Sequence, residues 1–272
     1  MIMKSYDNFG NIVLVKFREK ASLKDKKKFA ERLLKEQKGV RTVLEKKEKI
    51  KGRLRKLSTN YIAGEKTKEV LYKENGCVFR FNIDDTYFSP RLSNERKEIA
   101  SKIKKGETVL VMFAGVAPYS IVIAKLSKAK KVFSNEINRK ANKYAELNIR
   151  LNKVKDRIEL INGDVKKVAE KLCSKEKGKL SEGNRRCPRF DVIVMPRPQL
   201  KDSFLKEAFK LSKKNTRIYY YDFCKIDEIN SIVEKIKKEA KKAGKKIKIL
   251  KIKKAGELAP YKIRLRVDFQ VV

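Results

Sequence analysis

From residue 108 onward, short β-branched runs and runs of helical period take turns along the chain. This alternation constrains the fold more than any other feature, because strand, helix, strand closes only as a parallel crossover, with helices covering both faces of one sheet. The runs expected as strands are 108–113, 131–135, 157–161, 190–195 and 217–222, and helices over 119–126, 139–152, 165–172, 202–211 and 226–243 fill the intervals. Two last runs, 248–253 and 261–272, follow with no helix between them and read as a closing β-hairpin. The fold class predicted is α/β: a Rossmann-like, doubly wound sheet with an antiparallel C-terminal hairpin. Upstream the pattern changes. Residues 11–17 (NIVLVKF) read as a strand, 24–37 as a helix with Phe29, Leu33 and Leu34 along one side, and 40–44, 69–72 and 78–83 as further short strands. Two domains are expected, a small α+β domain over 1–88 and the sheet domain over 89–272, which opens with a charged helix at 93–104.

Charge narrows the partners. With 71 Lys and Arg against 33 Asp and Glu in 272 residues, the formal charge is +38. Thermophilic enrichment raises both signs together, so this one-sided surplus points to a polyanion, nucleic acid ahead of an anionic membrane. Residues 175–189, rich in Lys, Arg, Gly and Ser, read as a surface loop, either simply solvated or touching an RNA backbone. Histidine is absent, which removes imidazole acid–base catalysis, Ser-His-Asp and Cys-His nucleophiles, and every His-containing metal site. Cys77, Cys173, Cys187 and Cys224 form no ligand spacing, so no metal is expected, and they read as free thiols of a reducing compartment. No secretory leader opens the chain, and the longest apolar stretch, 109–124, is interrupted by Gly115 and Pro118. It falls short of the roughly 20 residues of a membrane helix, and the expected location is the cytoplasm.

In an open α/β sheet a ligand sits beyond the carboxyl ends of the strands. The first such turn reads Phe113-Ala114-Gly115-Val116-Ala117-Pro118; Gly115 permits close backbone approach, and the helix starting near Pro118 offers free N–H groups. Neither a Walker A sequence nor G-x-G-x-x-G is present, which suits a cofactor without phosphates. Glu136, followed by Ile137, ends the second strand, where a carboxylate accepts both hydroxyls of a ribose. Asp164 ends the third, placed for the exocyclic amine of an adenine. Taken singly each has a plain structural explanation: a tight turn, a carboxylate favoured by a helix dipole, an N-cap. Their occurrence at the ends of successive strands points to a nucleoside site.

Several segments then carry a resemblance. Tyr87-Phe88-Ser89-Pro90-Arg91-Leu92, Glu95-Arg96, residues 109–120 (VLVMFAGVAPYS), Asn148-Ile149-Arg150-Leu151-Asn152 and Ala259-Pro260-Tyr261 resemble the archaeal and eukaryotic tRNA (guanine-N1)-methyltransferases that act at position 37, beside the anticodon. The likeness spans nearly the whole chain and implies a class I S-adenosylmethionine-dependent methyltransferase domain preceded by an RNA-facing one. It offers no counterpart for the extra N-terminal domain of many members, so a short form is expected, monomeric and bound to the tRNA anticodon loop. It implies that Phe113, Ala114, Gly115, Val116 and Pro118 line the methionine and ribose side of S-adenosylmethionine, with Glu136 and Ile137 at the ribose and Asp164 near the adenine. It implies Glu95 as the base that removes the guanine N1 proton and Arg55 as the cation that stabilises charge developing toward O6, roles that fit general base and electrostatic catalysis. Without the resemblance, Glu95 reads as a helix-surface carboxylate paired with Arg91 or Arg96.

The chain departs from the family at three places. Val111 stands where an acidic residue is usual, Ala117 where a second glycine is, and Pro196 where an asparagine helps hold the guanine. In Pro196-Arg197-Pro198, Arg197 is left as a donor to the guanine or to phosphate, or as a solvated charge, and Arg91 is a further substrate contact. The runner-up reading is transfer of the aminocarboxypropyl group in wyosine-type tRNA modification, and after it a noncatalytic tRNA-binding protein.

Overall fold

The computed structural model describes residues 2–47, 52–174 and 189–272. The segment expected as a surface loop at 175–189 lies outside these except for Arg189, and Cys187 with it. The chain begins with β1 (Met3–Asn8), β2 (Ile12–Phe17), α1 (Leu23–Glu36), β3 (Thr42–Lys46) and β4 (Thr59–Gly64). They form one four-stranded sheet in the order β1-β2-β3-β4, parallel only between β2 and β3, where α1 makes the crossover. α1 is capped by Ser22, whose hydroxyl accepts the Asp25 N–H at 3.1 Å. Val13, Val15, Val43, Ile62, Ala30 and Leu33 close a small core beneath it. The sequence gives no sign of β1 or β4: MKSYDN and TNYIAG are half-exposed, and an edge strand that buries little has no apolar alternation to display.

Next comes a two-stranded hairpin, β5 (Glu69–Glu74) and β6 (Cys77–Asn82). Its turn is Asn75-Gly76, both residues with positive φ, as a type I′ turn requires. An isolated hairpin leaves two rows of backbone groups unpaired, and here asparagine carboxamides close both edges. Asn11 accepts from Leu71 N–H at 2.7 Å and donates to Glu69 C=O at 3.0 Å on β5. On β6, Asn148 pairs with both backbone groups of Arg80 (2.7 and 3.1 Å) and Asn152 with both of Val78 (2.9 and 2.7 Å).

The remaining elements are α2 (Ser93–Ser101), β7 (Thr108–Met112), α3 (Pro118–Leu126), β8 (Lys131–Glu136), α4 (Arg139–Leu151), β9 (Ile158–Asn162), α5 (Val165–Ser174), β10 (Phe190–Met195), α6 (Leu205–Lys210), β11 (Ser212–Lys225), α7 (Ile229–Lys242), β12 (Ile247–Ala259) and β13 (Lys262–Val271). Their strands make one sheet in the order β12-β13-β11-β10-β7-β8-β9, parallel from β9 through β11 and antiparallel on either side of β13. This is the expected doubly wound sheet, with the closing hairpin wedged so that its second strand lies against β11. Alternate residues of each strand face opposite layers: Val109, Val111, Val192 and Val194 pack under α2, α3 and α4, whereas Leu110, Met112, Ile193 and Met195 pack under α5, α6 and α7. The helix expected over 202–211 is shorter at its start, because Asp202 caps the turn through Phe204 N–H at 2.9 Å. β11 extends well beyond the run of 217–222. Cys77 and Cys224 are buried free thiols, Cys77 pushed up to about 11 by burial. Cys173 corrects the expectation of four free thiols, since it is disulfide-bonded.

Candidate active site

Strand order reverses between β7 and β10, and the cleft opens at the carboxyl ends of these strands. Phe113, Ala114, Gly115 and Pro118 from the β7–α3 turn line it, with Glu136, Ile137 and Asn138 after β8. The turn is tight: Phe113, Gly115 and Ala117 all have positive φ (58°, 58° and 64°). A Cβ on Gly115 would meet the Tyr87 carbonyl at 3.3 Å. Val116 is turned away from the cleft into the core, where its carbonyl accepts from Asn148 at 3.2 Å. Glu136 is gripped by backbone, accepting Gly115 N–H and Asn138 N–H at 2.7 Å each. Burial pushes its carboxyl above the ordinary value, against the pull of those N–H groups. It thus stands at the end of β8, fixed between two turns.

Beside it lies an apolar recess of Phe113, Ile137, Val165 and Phe204, bordered by Asp164. Asp164 holds the start of α5 through Lys166 N–H at 3.0 Å and takes Arg53 from the opposite wall at 2.6 Å. Burial works to raise the Asp164 carboxyl, and the hydrogen bonds from Arg53 and Lys166 N–H outweigh it, leaving it below its usual value. A carboxylate fixed between two turns, an aromatic recess and an acceptor at its rim suit an adenosine without phosphates.

The other end of the cleft is cationic. Arg55, itself at positive φ, places its guanidinium 4.7 Å over the Tyr87 ring, and Arg264 donates to Tyr87 Oη at 3.3 Å. Burial would raise the Tyr87 phenol, but Arg264 and Arg55 outweigh it and hold it below its usual value. Arg55 Nε is buried without a partner. These three residues also form the floor of an outer cavity of about 610 Å³, walled by Asp7, Lys16 and Lys46 of the N-terminal sheet and by the β12–β13 hairpin around Gly256. Tyr87, Arg264, Phe223 and Arg53 border the clefts without having been singled out from sequence. For Tyr87 the signal is its place at the head of the Ser-Pro-Arg segment; for Arg264 there is none, since a charge near the end of a terminal strand reads as surface.

The remaining expected site residues are scattered around this centre. Arg91 is exposed, pairs with Asp7 at 2.7 Å and edges the outer cavity. Pro196, Arg197 and Pro198 line the inner cleft, but Arg197 is no solvated charge. It is buried, donating to Asp222 at 2.8 Å and to the Leu200 and Asp202 carbonyls at 2.7 and 3.0 Å, with only Nε unpartnered. Glu95 is buried too and pairs with neither Arg91 nor Arg96; Arg96 is taken by Glu74 at 2.5 Å. Glu95 instead receives Arg266 at 2.7 Å, Lys253 at 2.6 Å and the Tyr221 hydroxyl at 2.9 Å. Of the departures from the family pattern, Val111 is enclosed in the core and supplies no carboxylate, and Ala117 holds the left-handed conformation that a glycine adopts freely. Among the described residues no cluster of metal-ligating side chains occurs.

Fold and cleft together define a class I S-adenosylmethionine-dependent methyltransferase. Residues 70–250 match the family model of the TRM5/TYW2 methyltransferase domain and residues 1–67 that of the TYW2 N-terminal domain, and the chain belongs to the TRM5/TYW2 family. It is 33% identical to the tRNA (guanine(37)-N(1))-methyltransferase Trm5b of Pyrococcus abyssi, over 98% of this chain and 74% of that one. It is equally similar, 33% over 98% of this chain and 100% of the other, to the tRNA (guanine(37)-N(1))/4-demethylwyosine(37)-methyltransferase Taw22 of Nanoarchaeum equitans. Among solved structures it superposes with a TM-score of 0.81 and 27% identity on aTrm5 in complex with tRNALeu, covering all of this chain and 73% of that one.

Proposed function

We propose that this protein transfers the methyl group of S-adenosylmethionine to N1 of the guanine at position 37 of tRNA, with the anticodon loop as its docking element. The observation that carries the reading is the shared wall between the two cavities: the Glu136 end suits a nucleoside cofactor, and the Arg55, Tyr87 and Arg264 end opens to the outside. When bound, S-adenosylmethionine supplies an electrophilic methyl group. Glu136 would accept the ribose hydroxyls beside Ile137, Phe113 would line the ribose side, and Asp164 would lie near the adenine amine. Ala114, Gly115 and Pro118 face the methionine end, with Val116 setting the turn from behind. On the substrate side Arg55 faces the oxygen of the guanine, where negative charge grows as N1 loses its proton, and Glu95 is the base that ultimately holds that proton. Arg91 contacts the nucleic acid at the cavity mouth, and Pro196 and Pro198 shape the wall against the base while Arg197 anchors their loop to Asp222. A single-stranded loop suits the work, because its bases are extruded at low cost.

A second reading, methylation of 4-demethylwyosine at the same position, is favoured by the name of the Nanoarchaeum equitans relative, whose full length this chain matches. The deciding experiment supplies labelled S-adenosylmethionine with tRNA transcripts carrying guanine or adenine at position 37 and with tRNA bearing 4-demethylwyosine there, and analyses the nucleosides by mass spectrometry. The result expected is 1-methylguanosine from the guanine transcript alone. No methylation of it would overturn the reading, and activity confined to tRNA bearing 4-demethylwyosine would establish the second. The proposal includes a cytoplasmic monomer, which light scattering of the purified protein and fractionation check directly.

A further inference from the structure

The carboxylate assigned as base does not face the cleft. Among the described residues the wall of the inner cavity includes Tyr221 and not Glu95. Glu95 lies on the first turn of α2, and Tyr221, a wall residue carried by β11, donates its hydroxyl to Glu95 Oε2 at 2.9 Å. The accepting capacity of Glu95 is largely filled. Oε2 also takes Arg266 Nη1 at 2.7 Å, and Oε1 takes Lys253 Nζ at 2.6 Å, so three of about four acceptor sites are used. Arg266 is wholly enclosed and is itself locked by Glu98 at 2.6 Å and Asp268 at 2.7 Å. Swinging Glu95 into the cleft would leave that buried guanidinium short of a partner, a costly rearrangement. The Tyr221 ring is equally fixed, edge-on to Tyr119 with centroids 6.1 Å apart.

We propose that Tyr221 is a catalytic residue that relays the guanine N1 proton to Glu95. This rests on the reading of the protein as a guanine-N1 methyltransferase with Glu95 as base. As the N1–H bond breaks, its proton passes to Tyr221 Oη, and the hydrogen already on Oη passes to Glu95 Oε2 along the existing hydrogen bond. The N1 electron pair forms the bond to the methyl carbon, and the carbon–sulfur bond of the donor breaks with its pair remaining on sulfur. The positive sulfonium and the negative carboxylate are both neutral afterwards. Burial, with Tyr119 and Glu95 adding to it, holds the Tyr221 phenol well above its usual value. The Oη hydrogen already lies on the 2.9 Å hydrogen bond to Glu95 Oε2, so in the proposed relay the two protons move together.

Tyr221→Phe keeps the ring and removes only the relay atom. Single-turnover methyl transfer is expected to fall about a hundredfold or more, with cofactor and tRNA affinities by calorimetry within about twofold of wild type. A proton inventory on the wild-type protein in mixed light and heavy water provides the second measurement, independent of whether the variant folds. A bowed dependence, from two protons in flight, is the expected result. A linear inventory would reduce Tyr221 to a positioning residue and overturn the relay. Full activity in Tyr221→Phe with loss in Glu95→Gln would also overturn it, leaving Glu95 in direct contact with guanine. Full activity in both variants would instead sink the assignment of Glu95 as base.

Discussion

Ala117 holds a left-handed backbone conformation at the N-terminus of α3, with φ of +64° and no exposed surface. Such a conformation costs an L residue about 1–2 kcal/mol, which Ala117→Gly would recover. Against that stand the greater freedom of glycine in the unfolded chain, about 0.4–1 kcal/mol, and the loss of a buried methyl, about 0.8 kcal/mol. The opposing effects nearly cancel, so Ala117→Gly is expected to unfold in urea within about 0.5 kcal/mol of wild type, which accounts for alanine being accepted where the family uses glycine. Glu98 makes a pH-dependent contribution. Arg266 donates to it, burial works the other way, and Lys253 assists, so that its carboxyl stands at about 2 instead of 4.5. A depressed carboxyl stabilises the fold in full above its unfolded value, and here the contribution fades as pH falls from 4.5 toward 2. After allowance for partial exposure it amounts to about 2 kcal/mol. Denaturant midpoints followed down through that window are expected to fall less steeply for Glu98→Gln than for wild type.

α4 serves as a brace between the two parts of the molecule. Its N-cap, Asn138, donates to the Asp85 and Leu54 carbonyls at 2.8 and 3.3 Å, and Asn148 and Asn152 pair with β6. Asn148→Ala would leave both backbone groups of Arg80 without partners; at about 1–3 kcal/mol for a buried unpaired group, a loss of about 2–3 kcal/mol is expected. Urea unfolding gives the total, and accelerated amide exchange at Arg80 locates it. The sheet strands were legible because the core writes itself into their alternation, and Gly115, Glu136 and Asp164 were legible because strand ends in such a sheet are where ligands sit. The roles of Asn148 and Asn152 were not: quoted only for resemblance, they pair with a backbone 68 and 74 residues away. Nor was the environment of Glu95. A charge alternating with apolar residues in Ile263-Arg264-Leu265-Arg266 reads as a solvent-facing strand, and only the packing of α2 onto β13 turns Arg266 inward. For Arg197, read as a donor to guanine or phosphate or as a solvated charge, the solvated alternative fails because its buried partner, Asp222, lies 25 residues on, beyond any local signal.

At the scale of the whole molecule, the charge of +38 is far more than the described site can use. Affinity for tRNA is therefore expected to rest largely on phosphate contacts and to fall roughly a thousandfold between about 50 and 200 mM salt if six or more are made. A flat dependence, measured by filter binding across that range, would assign recognition to the base pocket instead. The brace described above also restricts how such a chain can change over time. α4 is 13 residues long, roughly 20 Å at 1.5 Å per residue, and it is fastened to the N-terminal part at both ends. One residue inserted between Asn138 and Asn148 would turn the far fastening by about 100° and point both carboxamides away from β6. This helix works as a ruler, its length set by the carboxamide bonds that fasten it at Asn138, Asn148 and Asn152.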